Sequence, residues 1–308
     1  MNSVAVIGAG AWGRALAVQA ARAGCTVTLW ARDPARASPP PDGVRLVGTA
    51  PEAADAVLLA VPTQFLAGVL ARVATHGPLV VCAKGFEAGT LRLPLEIVAA
   101  ARPGAAASVL TGPNFAHEVA AGLPAAAVVA ATDPALRARV VALLSTPAFR
   151  LYGNDDPVGA QIGGAAKNVI AIAAGAVIGA GLGENARAAL VTRGLAELAR
   201  LAAALGGRAE TVAGLSGLGD LLLTCTGPRS RNFALGAALG RGESLEAILA
   251  GRRDVVEGVA TAPALVARAA SLGVEVPISA AVADLLANRT RLPDAVAALL
   301  ARKLRDEE

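Results

Sequence analysis

A chain of 308 residues with a formal net charge of +4 is long enough for two domains of ordinary size, each with its own core. Its composition, 55% hydrophobic and 17% charged, excludes a disordered polyelectrolyte, and 3% aromatics without a Lys/Arg block offer little to a nucleic acid. Two histidines, His76 and His117, exclude a histidine metal cluster, and no metal is expected; the widely spaced Cys25, Cys82 and Cys225 suit neither zinc nor a disulfide frame and fit a reducing cytoplasm.

From Asn2 to about Tyr152, short β-type runs alternate with helical ones. The strand candidates are "SVAVIG", "TVTLW", "VRLVG", "DAVLLAVP", "PLVVCAK", "SVLTG" and "AAAVVAAT", with helical segments such as Trp12–Ala23, Gln64–Thr75 and Leu91–Ala101 between several of them. Apolar strands interleaved with helices predict a mostly parallel sheet covered on both faces. The apolar "VAVIG" begins at once, with no basic leader or small-residue cleavage site, so no signal peptide is expected.

The first strand leads into "GAGAWG", which places Gly8, Gly10 and Gly13 in GxGxxG spacing at the start of a helix. The first glycine permits a tight turn, the second lets the backbone approach a pyrophosphate, and the third lets helix and strand pack closely. A diphosphate then sits on the positive end of the helix. Placed between strand and helix, with a second strand at the right distance, the spacing predicts dinucleotide binding. After the second strand, "WARDP" sets Arg32 beside Asp33: the acid suits a ribose 2′-hydroxyl and the arginine a 2′-phosphate. The pair points both ways, with a slight tilt to NADPH over NADH. "ASPPPDG" (Ala37–Gly43) reads as a loop, since consecutive prolines remove backbone donors.

Of the 28 basic residues only three are lysines, Lys84, Lys167 and Lys303. Lys84 follows "LVVCA" at the C-terminal end of a central strand, where ligands of open α/β sheets collect. Lys167 lies in "GGAAKN", where the small Gly163 and Gly164 would let a ligand come close. Arginine does not deprotonate near neutral pH, whereas burial and a neighbouring cation can lower a lysine into a useful range. Two lysines kept where arginine is the rule therefore predict a compact, titratable ammonium pair. "GPNFAHEVAAG" (Gly112–Gly122) is a further strand-to-helix turn, with Asn114 available as a donor and His117 exposed.

Past Asn154 the β signal ends, and helices are predicted at Val158–Ile178, Glu184–Leu205, Arg231–Leu239, Ser244–Ala250, Thr261–Leu272 and Ile278–Ala287. The longest apolar run, Val169 to Gly183, is Gly-rich and too short for a membrane span, so it reads as a buried core helix. The chain thus divides into an α/β domain, 1–153, which binds the dinucleotide, and an all-α domain, 154–308, which binds substrate. In "GLSGLGDLLLTCTGPRSRN" (Gly214–Asn232), Asp220 suits a carboxylate that orients a lysine. Ser230 can cap a helix whose first turn carries Arg231 and Asn232, so that N–H groups, a guanidinium fork and an amide converge as on a phosphate.

At these residues the chain resembles the bacterial-type NAD(P)-dependent glycerol-3-phosphate dehydrogenases. The matching stretches are "GAGAWGRALA", "LLAVPT", "AKGFE", "LTGPNFAHEVAAGLPAA", "GGAAKNVIAIAAG", "LVTRGLAELARLAAALGG", "GLSGLGDLLLTCTGPRSRN" and "VVEGVATA", in family order over nearly the whole chain. The resemblance implies a Rossmann domain joined to a helical domain of the 6-phosphogluconate dehydrogenase C-terminal type, usually as a homodimer without a membrane span. It also implies reversible reduction of dihydroxyacetone phosphate by NAD(P)H to sn-glycerol 3-phosphate for phospholipid synthesis. By the resemblance, Lys167 is the proton donor and acceptor, with Lys84 and Asp220 as its partners. Gly112, Asn114, Ser230, Arg231 and Asn232 join them around the substrate. Ala11, Trp12, Arg32, Ala116, Val255 and Glu257 line the cofactor, with the three turn glycines, Lys84 and Arg231 also on that side. Two departures stand out: the segment from Pro34 to Gly48 is short and proline-rich, and Asn114 occupies a position where a hydroxyl residue is usual. A relative acting on 3-hydroxyisobutyrate or 6-phosphogluconate would need a different anion pocket, and a dinucleotide sensor would have no use for the lysine pair.

Overall fold

The computed structural model describes residues 2–250 and 256–302, so Val255 and Lys303 lie outside the described residues. The first half runs β1 (Ser3–Ile7), α1 (Ala11–Arg22), β2 (Thr26–Trp30), a 3-10 turn at Pro34–Arg36, β3 (Val44–Val47), β4 (Ala56–Leu59), α2 (Thr63–Arg72), β5 (Leu79–Val81), α3 (Pro94–Ala101), β6 (Ala107–Thr111), α4 (Ala116–Ala121), β7 (Ala125–Ala130), α5 (Pro134–Leu144) and β8 (Phe149–Asn154). The second half is helical: α6 (Pro157–Gly179), α7 (Gly183–Ala204), α8 (Ala209–Val212), a π-helical turn at Leu215–Gly219, α9 (Asp220–Cys225), α10 (Arg231–Gly240), α11 (Leu245–Leu249), α12 (Glu257–Ser271), α13 (Pro277–Leu286) and α14 (Leu292–Leu300).

All eight strands form one sheet in the order β3-β2-β1-β4-β5-β6-β7-β8. Every neighbouring pair is parallel except β6 and β7. The strands from β4 to β5 are buried throughout, as a sheet covered on both faces requires. Leu66 and Leu70 of α2 and Ile97 and Val98 of α3 cover one face. Leu16 of α1, Val119 of α4 and Val140 of α5 cover the other. The order reverses at β1, which opens a crevice beyond its C-terminal end and that of β4. The fold is therefore a Rossmann-like, mostly parallel sheet followed by a helical domain. β8 is a strand that the sequence reading does not name. Its "FRLYGN" alternates buried and exposed residues at the sheet edge beside β7, and so lacks the continuous apolar run of the inner strands.

The centre of the helical half is α6. Asp156 caps it by accepting from the Gly159 N–H at 2.8 Å, and Pro157 occupies the first position, where a missing N–H costs nothing. At 23 residues and a mean hydropathy of 1.6, α6 is apolar enough by length and composition to cross a membrane, yet 89% of its most apolar window is buried within this chain. It is apolar all round because it is packed all round.

Glycine sets how closely α10 lies on α6. A Cβ on Gly175 would stand 2.1 Å from the Phe233 carbonyl oxygen, and one on Gly236 would stand 1.9 Å from that of Ile172. Gly179 and Gly240 repeat the pattern four residues on. The contacts advance in step along both helices, so the two run parallel, and the N-terminus of α10 comes level with Lys167.

Candidate active site

The turn between β1 and α1 is built as the spacing predicts. Gly8 has φ of +115°, and a Cβ there would lie 2.7 Å from the Ala60 carbonyl oxygen. A Cβ on Gly13 would lie 1.8 Å from the Gly8 carbonyl oxygen, so only glycine lets α1 rest on that turn. At Gly10 nothing stands within 4 Å, which leaves open space for an approaching group. Gly10 is also the N-cap of α1 and offers no side-chain acceptor, so the first-turn N–H groups and the helix dipole face outward. Arg32 is exposed just past β2, and its neighbour Asp33 pairs with Arg36 at 3.3 Å. The Arg14 guanidinium donates to the carbonyls of Ser38 and Pro39 at 3.0 and 2.5 Å, tying down the proline-rich loop.

Beyond the ends of β5 and β6, a cavity of about 360 Å³ lies between the two halves. From the first half, Ala11, Trp12, Lys84, Asn114 and Ala116 line it; from the second, Lys167, Ser230, Arg231, Asn232 and Glu257 do. Sites separated by more than two hundred residues thus share one wall. Gly8, Gly10, Gly13, Arg32, Gly112 and Asp220 are not in that wall; Val255 lies outside the described residues.

Behind the wall sits a charged triad. Asp220, fully buried at the first position of α9, accepts from Lys84 Nζ through Oδ2 at 2.6 Å and from Lys167 Nζ through Oδ1. Lys84 Nζ also donates to the Gly112 carbonyl at 3.2 Å. Gly112 therefore meets Lys84 and stands one residue behind the lining. Its φ of +149°, with Ala127 Cα 2.9 Å from a would-be Cβ, makes glycine the fitting residue there. Burial pulls Lys167 down to about 8; Asp220 holds it up against that, and Lys84 pushes it further down. Burial likewise raises the Glu257 carboxyl, with the cations Lys84, Arg231 and Lys167 opposing.

Three expectations change in the structure. Gly163 and Gly164 do not make room for a ligand: a Cβ on Gly163 would lie 2.5 Å from the Ser216 carbonyl oxygen, and one on Gly164 would lie 2.8 Å from Thr111 Oγ1. The smallness of Gly163 admits the π-helical turn that delivers Asp220, and that of Gly164 lets α6 lie against Thr111 and the Lys84 stem. Asn114 is only partly free: one Nδ2 hydrogen goes to the Ala126 carbonyl at 3.2 Å, which leaves the other hydrogen and the buried Oδ1, an acceptor without a partner among the described residues. The Asn232 amide is shared, since one Nδ2 hydrogen goes to Asn168 Oδ1 at 2.9 Å and Oδ1 accepts from Gly258 N–H at 3.1 Å, which leaves one hydrogen for the cavity it lines. Ser230 caps α10 by accepting from the Phe233 N–H at 3.2 Å, which leaves Arg231 exposed at that helix start.

The sequence reading passes over several wall residues. Asn168 is buried beside Lys167 and was visible as the last letter of "GGAAKN". Thr224, one turn beyond Asp220, donates to the Asp220 carbonyl at 2.6 Å. Arg229 pairs with Glu118 of α4 at 3.0 Å across the mouth; only its adjacency to the capped helix start could have flagged it. His117 is exposed and stands 3.7 Å from the same Glu118 oxygen.

A dinucleotide fits these residues on two observations besides the glycines. Among the described residues the buried Trp12 Nε1 donor, in the first turn of α1, has no partner, and the first-turn amides of α1 are uncapped.

The family model described as NAD-dependent glycerol-3-phosphate dehydrogenase C-terminus matches residues 156–297, and its N-terminal counterpart matches 3–39 and 45–137. The break falls in the proline-rich loop. The glycerol-3-phosphate dehydrogenase [NAD(P)+] of Acidiphilium cryptum is 56% identical over 98% of each chain, and that of Gluconobacter oxydans is 52% identical over 97% of each. A crystal structure of glycerol-3-phosphate dehydrogenase from Coxiella burnetii superposes with a TM-score of 0.89 at 34% identity, covering 98% of this chain and 99% of that one.

Proposed function

Because this chain belongs to the NAD-dependent glycerol-3-phosphate dehydrogenase family, we propose that it reversibly reduces dihydroxyacetone phosphate to sn-glycerol 3-phosphate with NADPH or NADH. The observation that carries the reading is the buried Lys84–Asp220–Lys167 triad, whose two ammonium groups reach the wall of a cavity shared by both halves. A bound dinucleotide supplies or accepts the hydride.

The residues then divide the work. The outward amides of α1 hold a diphosphate, with Ala11, Trp12 and Ala116 beside it and Arg32 at the adenosine end. Ser230 and Arg231, at the start of α10, take the triose phosphate. Lys84 and Lys167 stabilise the negative charge that develops on the C2 oxygen, and Lys167 gives up the proton as general acid. In the reverse direction it takes that proton back. Asp220 sets the direction of both amines and keeps enough protonated Lys167 at neutral pH. Gly112 places Lys84 through its carbonyl, and Asn114 offers an oxygen to a substrate hydroxyl.

The same reading assigns residues 1–153 to the dinucleotide and 154–308 to the substrate, and places the chain in the cytoplasm as a homodimer that feeds phospholipid synthesis. All three cysteines are free and buried, which suits a reducing compartment. The deciding experiment is Lys167→Met. The variant should still bind dinucleotide but lose dihydroxyacetone-phosphate-dependent oxidation of NAD(P)H. Near-normal turnover would remove Lys167 from the chemistry.

A further inference from the structure

Helix α12 begins without a side-chain cap of its own. Val256 stands at its N-cap, and valine has no acceptor for the first-turn N–H groups. The acceptor comes from another helix. Asn232 Oδ1, in the first turn of α10, takes the Gly258 N–H at 3.1 Å, and Asn232 Nδ2 donates to Asn168 Oδ1 at 2.9 Å. Both asparagines are buried. A Cβ at position 258 would lie 2.6 Å from Asn232 Oδ1, so glycine there leaves the space the amide uses. Asn168 follows Lys167 on α6, and its Nδ2 lies 3.5 Å from Glu257 Oε2, where α12 meets the cavity. The chain of contacts thus runs from α6 to the start of α10 and on to the start of α12.

We propose that Asn232 is a positioning residue, a cap supplied in trans that holds the Glu257 end of α12 against the phosphate-binding end of α10. Dinucleotide affinity is thereby coupled to a residue on the triose side. The inference rests on the reading above, in which Glu257 lies on the cofactor side. A direct hydrogen bond from Asn232 to the triose phosphate would involve only the second amide hydrogen and would leave α12 unaffected. The two roles therefore differ in what happens to dinucleotide binding when no triose is present.

The test is the NADPH dissociation constant, read by fluorescence without triose, for the wild type, Asn232→Ala and Asn232→Leu, with melting curves to confirm folding. Loss of an N-cap acceptor corresponds to about a five-fold change in an equilibrium constant. Asn232→Ala should weaken NADPH about five-fold. Asn232→Leu, which fills the same space without an acceptor, should weaken it by a similar factor. Unchanged NADPH affinity in Asn232→Ala, with the loss confined to triose KM, overturns the proposal. Should Asn232→Ala not fold, Asn232→Leu decides: weakened NADPH binding supports the cap, and unchanged binding overturns it. A wild type that binds no dinucleotide would instead sink the parent reading.

Discussion

Asp220 and Glu197 are both buried carboxylates of the helical half, and they are satisfied by opposite means. Asp220, at the lysine end of α6, accepts from two ammonium groups. Glu197, where α7 meets α13, accepts from neutral donors: the N–H of Ile278 at 2.5 Å, the N–H of Ser279 at 3.2 Å and its hydroxyl at 3.1 Å. Burial raises Glu197, with those donors opposing. The first arrangement can gain or lose a proton and stay bonded, because a lysine can shed its charge. The second needs no cation; it supplies α13 with the cap that Val276, at the N-cap, cannot. A region that moves protons gathers charges, and one that only holds a helix end gathers amides.

The sharpest break in that comparison is Asp220→Asn. It leaves two amines without their counter-charge and removes the group that holds Lys167 up, so the acid is depleted at neutral pH. Turnover should fall by about 10² to 10⁴. Melting should fall as well, because removing one partner of a buried ion pair leaves the remaining charge uncompensated, at a cost of about 3 to 5 kcal/mol. Steady-state rates beside thermal melts read both, and a variant with wild-type turnover would erase the distinction. Next in size is Gly236→Ala, on the seam that sets the level of α10. Its methyl would lie 1.9 Å from the Ile172 carbonyl oxygen, which is backbone and cannot swing aside. The expected cost is about 3 kcal/mol of stability, together with a raised triose KM as the Ser230 end shifts. An unchanged melting temperature would show that the helices can part freely.

What could be read from the sequence follows the same divide between local and assembled features. The GxGxxG turn was legible because its three requirements, a positive φ, open space and close packing, fall within six residues. The lysine pair stood out as an exception in an arginine-rich chain. The work of Gly163 and Gly164 was misread because their partners, Ser216 and Thr111, arrive from other elements. The ties that hold the Asn232 amide are not legible, because Asn168, one of its partners, is 64 residues away. β8 was missed because an edge strand needs no apolar run, and Glu197, lying in an alanine-rich helix, gave no signal at all.

A gentler measurement separates the two carboxylate regions by pH. With burial bringing Lys167 to about 8, the protonated acid dominates below that value and is lost above it. In triose reduction, kcat/KM should therefore stay level up to about pH 8 and then fall about tenfold per unit. Glycerol 3-phosphate oxidation needs the neutral amine and should rise with pH toward the same value. Lys84→Ala should move the midpoint upward, because Lys84 pushes Lys167 down. A midpoint that does not respond would disconnect the two amines.

The smallest effect belongs to Glu197→Gln. The amide keeps one oxygen for the N–H of Ile278 or of Ser279, but turns a donor toward the other. One buried N–H then goes unpaired, at a cost of about 1 to 2 kcal/mol. For a chain of this size that corresponds to a melting temperature lower by about 1.5 to 3 degrees. Turnover and the pH midpoint should both stay where they are, because Glu197 reaches neither the lysines nor the cavity wall. If the pH midpoint moved with Glu197→Gln, the neutral cap of α13 would be part of the proton circuit, and the separation between a region that holds and a region that reacts would fail.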